Sequence, residues 1–259
     1  MRASGILLPV TSLPSEYGIG CFSKEAYEFV DSLKAAGQKY WQILPLGPTG
    51  YGDSPYQSFS TYAGNPYFID LKTLEQEGLL KEEECTACDF GDHPEYVDYE
   101  KIYKSRFLIL EKAFERFVPD EDYAGFIEEN SYWLDDYCLY MAVKKQQKDV
   151  SWSEWPKELK DRVPEVLEAK KEELKKEIEF YRFLQYLFAV QWKKLKAYAN
   201  EQGIEIIGDI PIYVAFDSAD TWAHPELFQF DEENQPLAVA GCPPDAFSAT
   251  GQLWGNPLY

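Results

Sequence analysis

Residues 203–213 (GIEIIGDIPIY) constrain the fold more than any other stretch of the chain. The isoleucines form a nearly continuous apolar run of strand length, which is typical of a strand covered on both faces in a parallel sheet. Pro211 has no N–H to donate, so regular pairing should end at about Asp209 or Ile210. Asp209 is therefore predicted at the carboxyl end of a strand, where parallel α/β proteins bind ligands.

Two similar units occur near the start of the chain. Residues 4–9 and 40–45 are short apolar runs that each end in a proline and lead into a long loop. A helical pattern follows the first loop, with Ser23 as its expected N-cap and Gly37 at its end. Strands that alternate with helices in this order predict a parallel sheet with right-handed crossovers. The loops after the strands should then lie on one face.

The stretch between the second and third predicted strands has mostly helical patterns. Residues 99–117 and 122–148 carry wide apolar stripes, which usually mark core positions rather than ligand contacts. We therefore expect three regions along the chain. They are residues 1–70 with two strands and a long loop, a mainly helical insertion with a crossover helix at 71–200, and the third strand with a second long loop at 201–259.

The net charge of −20 limits the partners of the chain. It repels phosphate backbones and anionic membrane surfaces, so nucleic acid and lipid headgroups are poor candidates, whereas a neutral ligand is not penalised. The five scattered cysteines do not resemble a disulfide framework, which favours a reducing cytoplasm. No signal peptide and no membrane-spanning window is recognised.

Few patterns suggest metal or nucleophilic chemistry. Cys85 and Cys88 have the spacing of half a zinc site, but no second pair follows and a structural role is favoured. His93 and His224 are the only histidines and lie far apart in the sequence, which argues against a histidine metal site or a Ser-His-Asp triad. No glycine-rich phosphate loop is present. These residues therefore predict no metal site.

The loop at residues 47–67 has four tyrosines and a phenylalanine among small polar residues. Such a loop can simply be packed by its own rings. It can also form a saccharide cradle, because aromatic faces cover the C–H face of a pyranose while polar side chains bond its hydroxyls. Asp53, Ser54, Gln57 and Asn65 would supply these hydrogen bonds. Both interpretations stay open on these residues alone.

The second informative loop begins at Val214. Its tail, residues 241–259, is too long and too rich in glycine and proline for a simple connector. Long irregular loops in compact domains are usually lids, binding loops or disordered segments. Phe247 and Trp254 argue against disorder.

Three segments of the chain are long and distinctive: residues 50–71 (GYGDSPYQSFSTYAGNPYFIDL), 206–228 (IIGDIPIYVAFDSADTWAHPELF) and 241–259 (GCPPDAFSATGQLWGNPLY). They closely resemble the 4-α-glucanotransferases, also called amylomaltases or disproportionating enzymes. The resemblance extends over nearly all of the chain. It implies a (β/α)8 barrel with inserted subdomains, no cofactor, and transfer of a 4-α-glucan segment to the 4-hydroxyl of another glucan with retained configuration.

The matched motifs imply roles for individual residues. Tyr56 resembles a tyrosine that stacks on sugar beside the cleavage point, and Ser54 resembles a hydroxyl donor in the same loop. Asp209 resembles a carboxylate that binds sugar hydroxyls without being the nucleophile or the acid. The alternative for Asp209 is a buried carboxylate that backbone N–H groups satisfy. Trp254, with Gln252, resembles part of a flexible lid over bound glucan, and the alternative is a packing anchor for its loop.

The resemblance also implies a second glucan site and one departure. Tyr51 and Tyr103 resemble a glucan-binding pair outside the active cleft. Ala246 stands where some relatives carry a tyrosine before the lid phenylalanine. The resemblance therefore does not imply, for this chain, the contact that such a tyrosine would make between the lid and the sugar.

The catalytic carboxylates of the family are not recognisable in this sequence. The family resembles retaining enzymes with two carboxylates about 5 Å apart. Its nucleophile, acid/base and transition-state-stabilising residues lie in Arg-x-Asp-His, Glu-Asp-Leu-Gly and His-Asp-Asn motifs, and none of these strings occurs here. We expect them downstream of Tyr259, so that the chain is an amino-terminal portion with no catalytic residue of its own.

The predicted fold class is α/β, a partial (β/α)8 TIM-type barrel of about three parallel strands with a largely helical insertion. Three strands cannot close a barrel that needs eight, so one sheet edge should be open. The expected function is that of a cytoplasmic 4-α-glucanotransferase acting on α-1,4-glucans and maltooligosaccharides, with this chain inactive alone. The alternatives are a noncatalytic α-glucan-binding module and an amylase-like hydrolase.

Overall fold

A three-stranded parallel sheet confirms the predicted alternation of strands and helices. The computed structural model describes residues 2–50, 52–93 and 95–259. Strands β1 (Gly5–Leu7), β2 (Tyr40–Gln42) and β3 (Glu205–Ile207) lie side by side in that order, and both pairings are parallel. Strand β3, which is distant in the sequence, therefore pairs with the sheet that β1 and β2 form.

The helices follow the periodicity of the sequence. They are α1 (Lys24–Ala35), α2 (Leu71–Gln76), α3 (Glu82–Thr86), α4 (Tyr99–Arg116), α5 (Glu121–Gln146), α6 (Lys157–Lys160), α7 (Pro164–Glu173), α8 (Lys175–Glu201) and α9 (Ala219–Ala223). Helix α1 begins directly after Ser23, as predicted, although the Ser23 hydroxyl bonds Glu25 rather than a backbone N–H. Gly37 follows its end with a φ of 70°, a conformation that glycine adopts without strain.

The strands are less buried than their apolar sequences predict. Successive side chains of a strand point to opposite faces, so Leu7, Gln42 and Ile207, which pair in register, share one face. Leu7 is 55% exposed and Ile207 is 43% exposed. The prediction of a strand covered on both faces was wrong for the described residues, because the helices cover only the face that carries Trp41 and Ile206.

Contacts divide the chain into two compact units. The first comprises Met1–Leu46, Gly64–Phe126 and Phe183–Ile210, and the second comprises Gly47–Ala63, Ile127–Arg182 and Pro211–Tyr259. Each unit is built from three separate stretches of sequence. Long-range contacts therefore hold each unit together.

The core of the first unit lies between the sheet, α1 and the carboxyl-terminal part of α8. Trp41 on β2 is fully buried and packs with Val30 of α1 and Leu195 of α8. The Trp41 indole also donates a hydrogen bond to the Leu8 carbonyl at 2.8 Å. The central strand is thus anchored by apolar burial and by a satisfied indole N–H.

Two buried glutamines on α8 hold the chain that follows β2. The Gln185 side chain donates to the Gly64 carbonyl at 2.9 Å and accepts from the Gly64 N–H at 2.7 Å. Gln191 makes the same pair of bonds with Asp70, at 3.3 and 2.7 Å. A Cβ at Gly64 would lie 2.2 Å from the Phe188 ring, so only glycine fits there. These contacts fix the end of the tyrosine-rich loop.

The second unit is organised around a buried ion pair. The Lys144 ammonium lies 2.5 Å from the Asp217 carboxylate, and the Lys144 side chain is only 4% exposed. Asp217 also accepts from the Tyr140 hydroxyl at 2.7 Å and from the Trp152 N–H at 3.2 Å. These bonds satisfy a charge that would otherwise be costly to bury.

The segment after β3 has more regular structure than an irregular loop. Strands β4 (Val239–Cys242) and β5 (Gln252–Pro257) form an antiparallel pair, and α9 precedes them. Gly241 allows the two strands to approach, since a Cβ there would lie 2.5 Å from the Gln252 carbonyl oxygen. The expectation of a loop without strands was therefore wrong for residues 241–259. Over the ranges that the structure describes, helix length and hydropathy never reach what a bilayer crossing requires.

Candidate functional site

Two of the predicted binding segments are tied to each other in the second unit. Gln57 donates from its side-chain amide to the Asn256 side chain at 2.9 Å and to the Trp254 carbonyl at 3.2 Å. Asn256 is 3% exposed and donates in turn to the Val214 carbonyl at 2.8 Å. The tyrosine-rich loop, the chain after Pro211 and β5 are thus joined by one buried amide.

This arrangement presents two aromatic side chains to solvent. Tyr56 is 44% exposed and Trp254 is 45% exposed, although both are large apolar groups. The Trp254 indole N–H donates to the Gln252 side chain at 3.0 Å, so these two predicted lid residues contact each other. The Trp254 ring centroid lies 6.5 Å from that of Tyr213. Exposed rings held by polar contacts are suited to stacking on a sugar.

Turn-forming residues shape the loop that carries Tyr56. Gly52 and Asp53 both have positive φ, at 88° and 53°, and a β-bridge joins Thr49 to Ser58. The Ser54 hydroxyl oxygen accepts from the Tyr56 N–H at 3.3 Å. The Ser54 hydroxyl hydrogen can therefore still donate to a ligand, since a hydroxyl combines one donor with two acceptor positions.

Partial burial affects the carboxyl group of Asp53. It raises the pKa of Asp53 above its usual value, because a charged carboxylate is less well solvated there. The sequence suggested Asp53 as a partner for sugar hydroxyls. Its half-buried position beside Ser54 is compatible with that role.

Asn65 and Tyr67, at the end of the same sequence loop, do not belong to the exposed surface. Asn65 is 5% exposed, and its side chain accepts from the Tyr67 N–H at 2.9 Å. It thereby caps a short 3-10 helix, Pro66–Phe68, in the first unit. Tyr67 is 6% exposed. The expectation that Asn65 serves a ligand was wrong, because its side chain caps the helix within the core.

The other predicted residues lie in the first unit or outside the described residues. Asp209 is half-buried two residues beyond the end of β3. Tyr103 on α4 is 50% exposed, with its ring centroid 5.1 Å from that of Phe107. Tyr51 falls outside the described residues. The sugar-binding role of Asp209, its convergence with Tyr56, and the second glucan site all stay predictions.

The β4–β5 hairpin has an ordered tip with exposed apolar groups. The Asp245 side chain accepts from the N–H groups of Phe247 and Ser248 at 2.9 and 2.8 Å. Phe247 at this tip is 95% exposed. The lid role of the hairpin stays a prediction.

The cysteine pair of the first unit is a structural feature. Cys85 is fully buried, and its pKa is raised to about 12 by burial and, secondarily, by a hydrogen bond to Glu75. Its thiol is therefore protonated at neutral pH and unreactive. Across the part of the chain that is described, no three His, Cys, Asp or Glu side chains gather as metal ligands.

Sequence reasoning missed the polar contacts that assemble the site. Gln57 was expected to face a ligand, yet its amide holds β5 instead. Asn256 was not singled out at all. The sequence signal for its role was the presence of an amide side chain within the motif that carries Trp254. Its partners, Gln57 and Val214, are distant in the sequence.

A parallel sheet whose strands lead into long loops and alternate with helices is the arrangement of (β/α) barrel proteins, which bind their ligands with those loops. The sequence profile of the 4-α-glucanotransferases matches residues 8–259. The chain belongs to the 4-α-glucanotransferase family.

Curated relatives are identical to this chain at about half of the aligned positions. The 4-α-glucanotransferase of Clostridium butyricum is 54% identical over 253 residues, which are 96% of this chain and 52% of the relative. That of Streptococcus pneumoniae TIGR4 is 51% identical over all of this chain and 52% of its own length. The chain thus spans about half the length of the curated relatives it matches.

Solved structures confirm the fold class. The amylomaltase of Streptococcus agalactiae in complex with acarbose has a TM-score of 0.96 and 46% identity, over 100% of this chain and 53% of that one. The amylomaltase of Corynebacterium glutamicum has a TM-score of 0.76 at 19% identity and supports the fold alone. The chain is a partial (β/α)8 barrel with three parallel strands and extensive helical structure.

Proposed function

We propose that this chain is the substrate-binding portion of a 4-α-glucanotransferase. The enzyme would move a 1,4-α-glucan segment to the 4-hydroxyl of an acceptor glucan or glucose by a retaining double displacement. The observation that carries the proposal is the Gln57–Asn256 contact, which holds the Tyr56 and Trp254 segments together with both rings exposed.

The chemistry of these residues favours an uncharged sugar chain. The rings of Tyr56 and Trp254 cover C–H faces, while the Ser54 hydroxyl and the Gln252 amide bond hydroxyls. The net charge of −20 disfavours anionic ligands. The S. agalactiae relative was solved in complex with acarbose, which supports α-1,4-glucans and maltooligosaccharides as ligands.

The reacting carboxylates come from outside this sequence. A retaining mechanism needs a nucleophile and an acid/base about 5 Å apart. The three family motifs that carry the nucleophile, the acid/base and the stabilising carboxylate are absent here.

Asp209 binds sugar hydroxyls, and the β4–β5 hairpin covers the glucan so that water competes poorly with the acceptor. The chain alone is inactive, and the enzyme works in the cytoplasm.

The test is incubation of the full-length protein with maltotriose. Transfer yields longer glucans together with glucose, which chromatography separates. Shorter products alone would support an amylase-like hydrolase instead. Glucan binding without any turnover by the full-length protein would support the noncatalytic module, and turnover by the 259-residue chain would show that it contains catalytic carboxylates.

A further inference from the structure

A cavity of about 310 Å³ lies in the second unit, apart from the residues that sequence motifs assign to glucan binding. Residues 60–62, helix α5 and the chain around α9 line it, and Tyr259 contributes from the end of the chain. Small-molecule sites are usually concave and begin at roughly 300 Å³. The cavity therefore has the size of a site for a short ligand.

Aromatic rings form one wall of the cavity. The Tyr62 ring stacks on Trp133 with centroids 5.9 Å apart and planes 18° apart, and Tyr132 meets Tyr62 edge-on at 5.5 Å. Tyr62 is 58% exposed and Tyr132 is 66% exposed. These rings pack against each other and stay exposed to solvent. They can therefore stack on the apolar face of a ligand.

Other rings of the lining continue to the predicted lid residue. Phe228 stacks on Tyr259 with centroids 5.4 Å apart, and Tyr259 stacks on Tyr213 at 6.0 Å. Tyr213 in turn lies 6.5 Å from Trp254. A row of rings thus leads from Trp254 to the cavity within one unit.

Asp136 and Asp220 supply carboxylates to the cavity lining, beside hydroxyl groups and the His224 imidazole. Asp220 accepts from the Thr61 N–H and hydroxyl at 3.0 and 2.6 Å. A carboxylate has about four acceptor positions, so Asp220 retains capacity for further donors. Asp136 is neutralised by Arg162 at 2.5 Å. Among the described lining residues there is no lysine or arginine, so the cavity lacks what an anionic ligand needs.

We propose that this cavity is an additional binding site for glucosyl units of an α-glucan. One sugar ring lies against Tyr62 and Trp133, and its hydroxyls donate to Asp220. The row of rings from Trp254 lets one glucan chain reach both places. This inference rests on the proposed function for the identity of the sugar.

The test is isothermal titration of the 259-residue chain with maltotriose, because the proposed function expects no turnover by this chain alone. At least two binding events are expected, one at the surface of Tyr56 and Trp254 and one at this cavity. Tyr62→Ala should weaken one of them at least tenfold, and Tyr62→Phe should restore it because the stacking face remains. Tyr96→Ala is the matched control, since Tyr96 is 74% exposed and does not line the cavity.

A second variant separates this inference from the proposed function. Tyr56→Ala combined with Trp254→Ala should remove the binding event at the surface of these two rings and leave the Tyr62-dependent one. If Tyr62→Ala binds maltotriose like the unmodified chain, with an unchanged circular dichroism spectrum, the inference is overturned and the proposed function is untouched. If the full-length protein transfers no glucan while Tyr62-dependent binding persists, the proposed function fails and the site stands.

Discussion

The side-chain amide of Gln57 donates to the side chain of Asn256 across 199 residues of sequence, at 2.9 Å. Asn256 also donates to Val214, so one buried amide joins three stretches of the second unit. The contact sets the spacing between the loop of Tyr56 and the strand of Trp254. The proposed stacking of both rings on one sugar chain would depend on that spacing.

Asn256→Ala should destabilise the protein by about 1–3 kcal/mol, because the Val214 carbonyl and the Gln57 amide lose their partner. Urea unfolding followed by circular dichroism measures the change. Asn256→Asp is the matched control, because aspartate has nearly the same shape as asparagine. It keeps an oxygen that accepts from the Gln57 amide but loses the N–H that donates to the Val214 carbonyl. A midpoint unchanged in Asn256→Ala would contradict the role of this amide.

Trp254→Ala should weaken maltotriose binding about tenfold, which corresponds to roughly 1.4 kcal/mol of lost stacking. Isothermal titration gives the affinity. Leu253→Ala is the neighbouring control, because Leu253 is 81% exposed and its loss should leave the affinity within twofold, on the order of 0.4 kcal/mol. Equal effects of the two substitutions would show that the hairpin, and not the indole, binds the sugar.

Lys144→Met should destabilise the protein by about 3 kcal/mol, because it leaves the Asp217 carboxylate without its cation. Combining it with Asp217→Asn should recover part of this loss, since the uncompensated charge is then removed as well. Urea midpoints of the single and double variants measure the coupling. Strictly additive losses would show that the two side chains do not stabilise each other.

The pair formed by Glu84 and Arg116 predicts a pH dependence of stability. The hydrogen bond from Arg116 lowers the pKa of Glu84 from 4.5 to about 2. A carboxyl whose pKa is lower in the folded protein stabilises it above the unfolded pKa. This contribution is lost as the pH falls from about 4.5 to about 2.

Glu84→Gln should therefore lower the urea midpoint at neutral pH, and its difference from the unmodified protein should shrink below pH 4.5. Added salt should reduce the difference, because the pair is partly exposed. Glu83→Gln, in the same turn of α3, is the control. A difference that stays constant between neutral pH and pH 3 would contradict the assignment.

Local patterns in the sequence were sufficient for the order of the elements. The apolar runs at residues 4–9, 40–45 and 203–213 contain the three strands, and Ser23 marks the start of α1. The motifs around Tyr56 and Trp254 were sufficient for the family. Each of these features depends on residues that are neighbours in the sequence. One short stretch of sequence is therefore enough to predict it.

The tertiary structure alone decided which of the same residues face outward and what they contact. Leu7 and Ile207 are apolar like core residues but lie on a face that the described residues leave exposed. Asn65 looked like a ligand partner and instead caps a helix in the core. The Gln57–Asn256 bond and the stack of Tyr62 on Trp133 join residues that are distant in sequence. Periodicity and turn chemistry report only local conformation, so contacts between distant segments appear only once the chain has folded.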